Sequence, residues 1–170
     1  VALGGALAND FLKARGLPVG ASLVSPVDLS SNPLVRKENI LVPVDVVLED
    51  TREVLASEVG SEDKILDIGT QSVEALKPHI QSAKTILWNG PLGYYEGGFD
   101  VATKAVAKLV AESDAFSVVG GGDTVAAIES LGLSDKFGFL STAGGAMLEY
   151  LEKGTLPGID VLERPHADAL

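Results

Sequence analysis

Between Val118 and Gly132 the chain reads VVGGGDTVAAIESLG: two β-branched residues, three glycines, an acid, a hydroxyl, then a helical pattern. Glycine weakens both strands and helices, so three of them at that joint point to a need for bare backbone. Bare backbone admits positive φ and lets a ligand approach without meeting a Cβ, and the free N–H groups at the helix start attract phosphate oxygens. Gly121, Gly122, Asp123 and Thr124 then form a candidate phosphate turn. Asp123 is either a carboxylate for Mg²⁺ carried by phosphate or the N-cap of the helix behind a tight turn.

STAGGAMLEYLEKG, from Ser141 to Gly154, repeats the device. Gly144 and Gly145 at a helix start would offer N–H groups to charge developing on a phosphoryl group, or they are small only so that helix and sheet can pack closely. In WNGPLGYYE, Asn89 is a candidate donor to phosphate, Pro91 a stiffener of the turn, Tyr94 an apolar wall and Glu96 an acceptor for ribose hydroxyls. Each also has an ordinary reading, Asn89 as a turn former and Glu96 as a solvated charge, with Trp88 a core residue. Neither GxGxxG nor GxxxxGK[ST] occurs, which speaks against a dinucleotide-binding dehydrogenase half and against a Walker A loop. His79 and His166 lack metal-ligand spacing and read as surface residues.

These turns need a scaffold, and the pattern supplies one by alternating short apolar runs with helical periodicity. A helix is expected over Ala6 to Ala14, stopped by Gly16, then a largely irregular stretch from Gly20 to Asn39. Ile40 to Asp50 is a strand candidate that Pro43 bends or confines to an edge. Lys64 to Ile68 is extended, with Thr70 or Ser72 as cap of a helix through Gln81. Thr85 to Gly93 is a buried strand followed by an abrupt loop, and Phe99 to Glu112 is an amphipathic helix. Strand, glycine turn and helix then recur twice. Such units predict an α/β fold, a three-layer Rossmann-like parallel sheet with helices on both faces, incomplete at its N-terminal end. The glycine clusters at Gly4-Gly5, Gly69, Gly90 to Gly93, Gly120 to Gly122 and Gly144-Gly145 all fall at the strand ends where such sheets bind ligands.

The 170 residues suit one domain, and 13 basic against 24 acidic residues give a net charge of -11, contrary to a nucleic-acid binder. No apolar run is long enough to span a membrane. The absence of cysteine excludes disulfides and thiolate metal sites and fits a cytoplasmic setting. The opening VALGG reads as the end of a strand whose predecessors lie elsewhere, so a fragment is expected.

In this order and at these spacings, WNGPLGYYE, GGGDT and STAGGAMLEYLEKGTLPGIDVL resemble the C-terminal, nucleotide-binding half of the phosphoglycerate kinases, with LGGALANDFLKARG, LVPVDVV and LDIGTQS as supporting matches. The resemblance spans residues 1–170 as a partial nucleotide-binding domain. It implies a phosphotransferase with a carboxyl group as acceptor, moving phosphate between 1,3-bisphosphoglycerate and MgADP to give 3-phosphoglycerate and MgATP in glycolysis. By the same likeness Gly4, Gly5, Gly69, Gly93 and Tyr94 would line the adenine site and Glu96 would hold the ribose. Asn89 and Pro91 would border the phosphates, Gly121 to Thr124 would hold their far end, Asp123 would serve Mg²⁺, and Gly122, Gly144 and Gly145 would stabilise the group in transfer.

The chain departs from that pattern at Ala6, Ala143 and Met147, and it lacks the domain that binds phosphoglycerate together with the lysines that contact nucleotide phosphates. Turnover by this chain alone is therefore not expected. The resemblance implies a monomeric intact enzyme, whereas a piece with exposed sheet would self-associate. The competing reading is a folded interaction module that binds no nucleotide.

Overall fold

The computed structural model describes residues 1–163; His166 lies outside them. Helix α1 (Gly5–Ala14) follows an isolated parallel bridge between Ala2 and Leu41. Strands β1 (Asp45–Leu48), β2 (Glu53–Leu55) and β3 (Ile65–Ile68) precede helix α2 (Thr70–Ser82). Strand β4 (Thr85–Asn89), helix α3 (Val101–Ala111), strand β5 (Phe116–Gly120), helix α4 (Gly122–Ser130), strand β6 (Phe139–Ser141) and helix α5 (Gly144–Lys153) complete the repeating units, with α6 (Pro157–Glu163) beyond them.

The strands β4, β5 and β6 form the expected parallel sheet, in the order β4-β5-β6. Their register aligns Asn89 with Gly120 and Gly120 with Ser141, so three loops leave the sheet side by side. The other three strands depart from the all-parallel expectation, because β1 pairs antiparallel with both β2 and β3. The long strand expected over Ile40 to Asp50 is cut by the buried Pro43: Leu41 bridges to Ala2, and β1 starts only at Asp45. At the far end the chain reverses tightly, Thr51 taking φ 68 while Leu48 and Thr51 close the turn through Leu48 N to Arg52 O and Thr51 N to Leu48 O. Asp50-Thr51 between two apolar runs is the turn signal that reading Ile40 to Asp50 as one strand passed over.

Helices α2, α3 and α4 lie on one face of the parallel sheet. There Val73, Ile80, Val106, Val110 and Ile128 pack with Trp88 and Val119 from the strands. On the opposite face α5 reaches only the ends of the strands, where Met147 meets Gly120, and Leu87, Phe116 and Phe139 stand exposed. The expectation of a buried β4 is therefore corrected: the strand alternates, Trp88 inward and Leu87 outward, since one layer of helices covers one side of the pleat. A second core of Leu12, Val46, Leu48 and Ile65 joins α1 to the antiparallel strands.

Neither Thr70 nor Ser72 caps α2 with its own side chain, as the sequence suggested. Gly69 is the N-cap residue, and the carboxylates come from β1 and β2: Asp45 accepts from Gln71 N and Ser72 N at 2.8 and 2.7 Å, and Glu53 accepts from Thr70 N at 2.7 Å.

Candidate active site

Two features meet at the ends of the parallel strands. The first is a cradle built from the glycine turns after β5 and β6. Gly121 holds φ 105, a conformation that favours glycine, and this lets its N–H reach Ser141 O at 2.9 Å while Gly122 opens α4. A Cβ on Gly144 would strike Asn89 Oδ1 and lie 2.8 Å from Gly121 N, so α5 starts directly against the β5 turn. The first turns of α4 and α5 are thus held side by side, with the Asn89 side chain beside both Gly120 and Gly144.

Packing accounts for Gly120 and Gly144. It does not account for Gly122 and Gly145, where a Cβ would meet nothing within 4 Å and φ is not in the left-handed region. The N–H groups of Gly122, Asp123, Thr124, Gly144, Gly145 and Ala146 have no acceptor among the described residues. Thr124, fully buried at the turn, has an Oγ1 without a partner, 3.6 Å from where a Cβ on Gly121 would lie. Unpaired N–H donors at two adjacent helix starts suit an anion with several oxygens, whereas the Thr124 hydroxyl is enclosed beneath them. Asp123 is exposed in the first turn of α4, with no side-chain bond among the described residues, so the N-cap role falls to Gly121.

The second feature is a cavity of about 560 Å³ between α1, β3 and the loop after β4. Gly4, Gly5, Gly93 and Tyr94 line it, together with Pro91, which the resemblance set beside the phosphates, and with Leu23 and Pro43. Gly69 does not: a Cβ there would collide with the Asp45 carboxylate, so this glycine serves the helix cap. Glu96 is exposed in a 3-10 turn, and it and Asn89 lie outside the lining. Cavity and cradle share a wall, since Pro91 lines the former while Gly90 N bonds Gly120 O at 3.1 Å and adjoins Gly121.

Two residues of the lining escaped the sequence reading: Asn9, beside Asp10 in a helical stretch, and Asp67, a polar residue inside an apolar run. Asp67, 3% exposed, accepts from its own Ile68 N–H at 2.9 Å and from Ala102 N at 3.2 Å, and it lies against Gly93. It ties β3 to the start of α3 and to the cavity wall. Burial, aided by the nearby Asp100 charge and opposed by the two backbone bonds, pushes its pKa up to about 6. A carboxyl with a raised folded pKa holds its proton in the folded chain where the unfolded chain has released it. Stability from this group therefore increases as pH falls from about 6 towards 4, by about 2 kcal/mol. We expect denaturant titrations to show that rise in the native chain and not in Asp67→Asn.

The sequence matches the phosphoglycerate kinase family over residues 1–154. The chain belongs to the phosphoglycerate kinase family. It is 47% identical over 171 aligned residues to the phosphoglycerate kinase of Rubrobacter xylanophilus, covering 94% of this chain and 44% of that protein. To the phosphoglycerate kinase of Baumannia cicadellinicola it is 44% identical, covering 94% of this chain and 43% of that protein. The structure of phosphoglycerate kinase from Coxiella burnetii superposes with a TM-score of 0.83 at 38% identity, over 95% of this chain and 45% of that one. Phosphoglycerate kinase from Pyrococcus horikoshii superposes at 0.77 with 30% identity. The chain spans less than half the length of these phosphoglycerate kinases.

Proposed function

We propose that this chain is the nucleotide-binding part of a phosphoglycerate kinase, taking ADP or ATP with the base in the cavity and the phosphates across Gly90 and Pro91 into the cradle. The observation that carries the reading is the pair of helix starts, α4 and α5, with glycines at 122 and 145 that no contact among the described residues requires. Gly4, Gly5, Gly93 and Tyr94 border the base, Asn89 and Pro91 the phosphate path, and Gly121, Gly122, Asp123 and Thr124 its end. Glu96 serves the ribose from beside the mouth, and Gly144 and Gly145 face the group in transfer.

In the reaction proposed, the acyl phosphate of 1,3-bisphosphoglycerate passes its phosphoryl group to the terminal oxygen of ADP, leaving a carboxylate. This chain's share is positioning and backbone electrostatics, which dominate phosphoryl transfer. The N–H groups of the cradle take up charge on the moving group.

Among the described residues no group of three His, Cys, Asp or Glu could hold a metal unaided. Asp123 can offer Mg²⁺ one carboxylate, as suits a cation that takes its other ligands from phosphate and water. When bound with the nucleotide, Mg²⁺ would neutralise phosphate charge. Binding of the phosphoglycerate belongs to the family's length that this chain does not span, so turnover is assigned to the longer protein. A cytoplasmic, glycolytic setting is part of the proposal; no described helix is long and apolar enough to cross a membrane. The exposed Leu87, Phe116 and Phe139 support self-association of the chain as it stands.

A second reading, a module that folds without binding nucleotide, is favoured by one fact: Gly120 to Thr124 and Ser141 to Met147 contain no lysine or arginine. Calorimetric titration with ADP, with and without Mg²⁺ and with NAD as control, separates the two. We expect saturable, Mg²⁺-dependent binding of ADP that weakens about tenfold or more in Asp123→Ala, as expected when a phosphate-bound cation loses its one carboxylate. No heat at millimolar ADP would establish the second reading.

A further inference from the structure

Helix α5 is held to the sheet by little. Gly144 is its one buried residue, and Ala146, Leu148, Tyr150 and Leu151 all stand exposed. Met147, half-buried, is the only apolar side chain of α5 that is not exposed. Its thioether lies over the last residue of β5: a Cβ on Gly120 would sit 2.5 Å from Met147 Cε and 3.1 Å from its Sδ. The same point lies 2.8 Å from Asn89 Oδ1, so the space above Gly120 is already full.

That thioether is also the only sulfur in the chain, which has one methionine and no cysteine. Methionine fills such a gap well because it is unbranched and flexible, but its sulfur is open to oxidation. The sulfur passes an electron pair to a peroxide oxygen, an S–O bond forms as the O–O bond breaks, and hydrogen peroxide leaves as water. The sulfoxide is polar and larger by one oxygen, and against Gly120 that oxygen meets strand backbone and Asn89 Oδ1. A helix anchored through one apolar side chain opens readily, which admits a small oxidant.

We propose that Met147 is a modification site for peroxide, and that its oxidation to the sulfoxide releases the start of α5 from β5. Gly144 and Gly145 open that helix, so the step also moves their N–H groups away from those at the start of α4. The effect on nucleotide rests on the reading above; the effect on the helix does not.

The test treats the native chain and Met147→Leu with hydrogen peroxide and follows the gain of oxygen by mass spectrometry of peptides. Amide exchange across Gly144–Lys153 is then measured beside calorimetric titration with MgADP. We expect exchange in α5 to quicken about tenfold or more on oxidation while that in α3 holds. ADP affinity should fall about tenfold as the two helix starts lose their spacing. Met147→Leu, close to methionine in volume, should keep α5 docked and show neither change. Reduction of the oxidised chain by the two methionine sulfoxide reductases, with a dithiol as electron donor, should restore both readings.

Met147 left unoxidised at peroxide concentrations that convert free methionine would overturn the inference, as would a sulfoxide that leaves exchange in α5 unchanged. An equal response in Met147→Leu would place the effect in another residue and overturn it too. Absence of ADP binding by the unoxidised chain would remove the nucleotide reading alone, and exchange in α5 would still decide this one. Should Met147→Leu fail to fold, reversal by the reductases decides, a change that persists after the sulfoxide is gone counting against the proposal.

Discussion

Asp45→Ala is expected to lower the stability of the chain by about 3 kcal/mol, through loss of a buried helix cap and its charge-assisted hydrogen bonds. Asp45 is fully buried on β1, and its two carboxylate oxygens accept from Gln71 N, Ser72 N and Ser72 Oγ at the start of α2. Alanine would leave Gln71 N and Ser72 N without their acceptors, while Ser72 Oγ keeps the Asp45 carbonyl at 3.0 Å. It would also empty the space that Gly69 keeps open for the carboxylate. For a domain of this size the loss corresponds to a fall in Tm of roughly 6–12 °C. Asp45→Asn, which keeps one acceptor, should lose less.

The pH dependence gives the same prediction a second readout. Burial works to raise the Asp45 pKa, but the bonds from Ser72 and Gln71 outweigh it and hold the carboxyl below its ordinary value. A group with a depressed folded pKa contributes stability above its unfolded pKa and loses it as pH falls through the folded one. The acid limb below about pH 4 should therefore flatten in Asp45→Ala. It stands apart from the Asp67 effect, which has the opposite sign and lies between about 4 and 6.

The second large effect is expected at Gly144, and its neighbour supplies the contrast. In Gly144→Ala the new methyl must displace Asn89 and the Gly121 backbone, whose N and Cα lie 2.8 and 2.9 Å from it. Forcing backbone apart in this way costs about 1–3 kcal/mol and shifts the start of α5 away from α4. ADP affinity should fall at least tenfold, since a cradle of N–H groups depends on their spacing.

In Gly145→Ala the methyl meets no atom of the described residues within 4 Å, so stability should hold or improve by up to about 1 kcal/mol. Binding should nevertheless weaken, because the methyl would project into the space proposed for phosphate. Thermal unfolding beside ADP titration on both variants checks the pair. Unchanged ADP affinity in Gly145→Ala would mean that no ligand approaches the start of α5.

Much of this site was legible because its parts are local. A glycine run after an apolar strand states where backbone must be bare, and the apolar spacing of Val106 and Val110 states which face of α3 is buried. Gly121 to Thr124, Gly144 and Gly145 could thus be marked as a unit from their neighbours in sequence. Asn9, Asp45 and Asp67 could not. Asp45 and Asp67 are single polar residues among apolar ones, Asn9 stands beside Asp10, and the role of each depends on partners 14 (Asn9), 27 (Asp45) and 35 (Asp67) residues away.

By itself the sequence determined the family, the parallel strand–turn–helix units and the positions of the glycine turns, since all of these reside in short-range pattern. Only the tertiary structure decided which glycines answer to packing and which to a ligand, because that depends on what a Cβ would meet across the sheet. It also decided that Gly69 serves a buried carboxylate, that β1 runs antiparallel to its neighbours, and that Asn9 Oδ1 stays unpaired among the described residues. Pairing direction and hydrogen-bond satisfaction are properties of segments brought together from afar, and no local spacing encodes them.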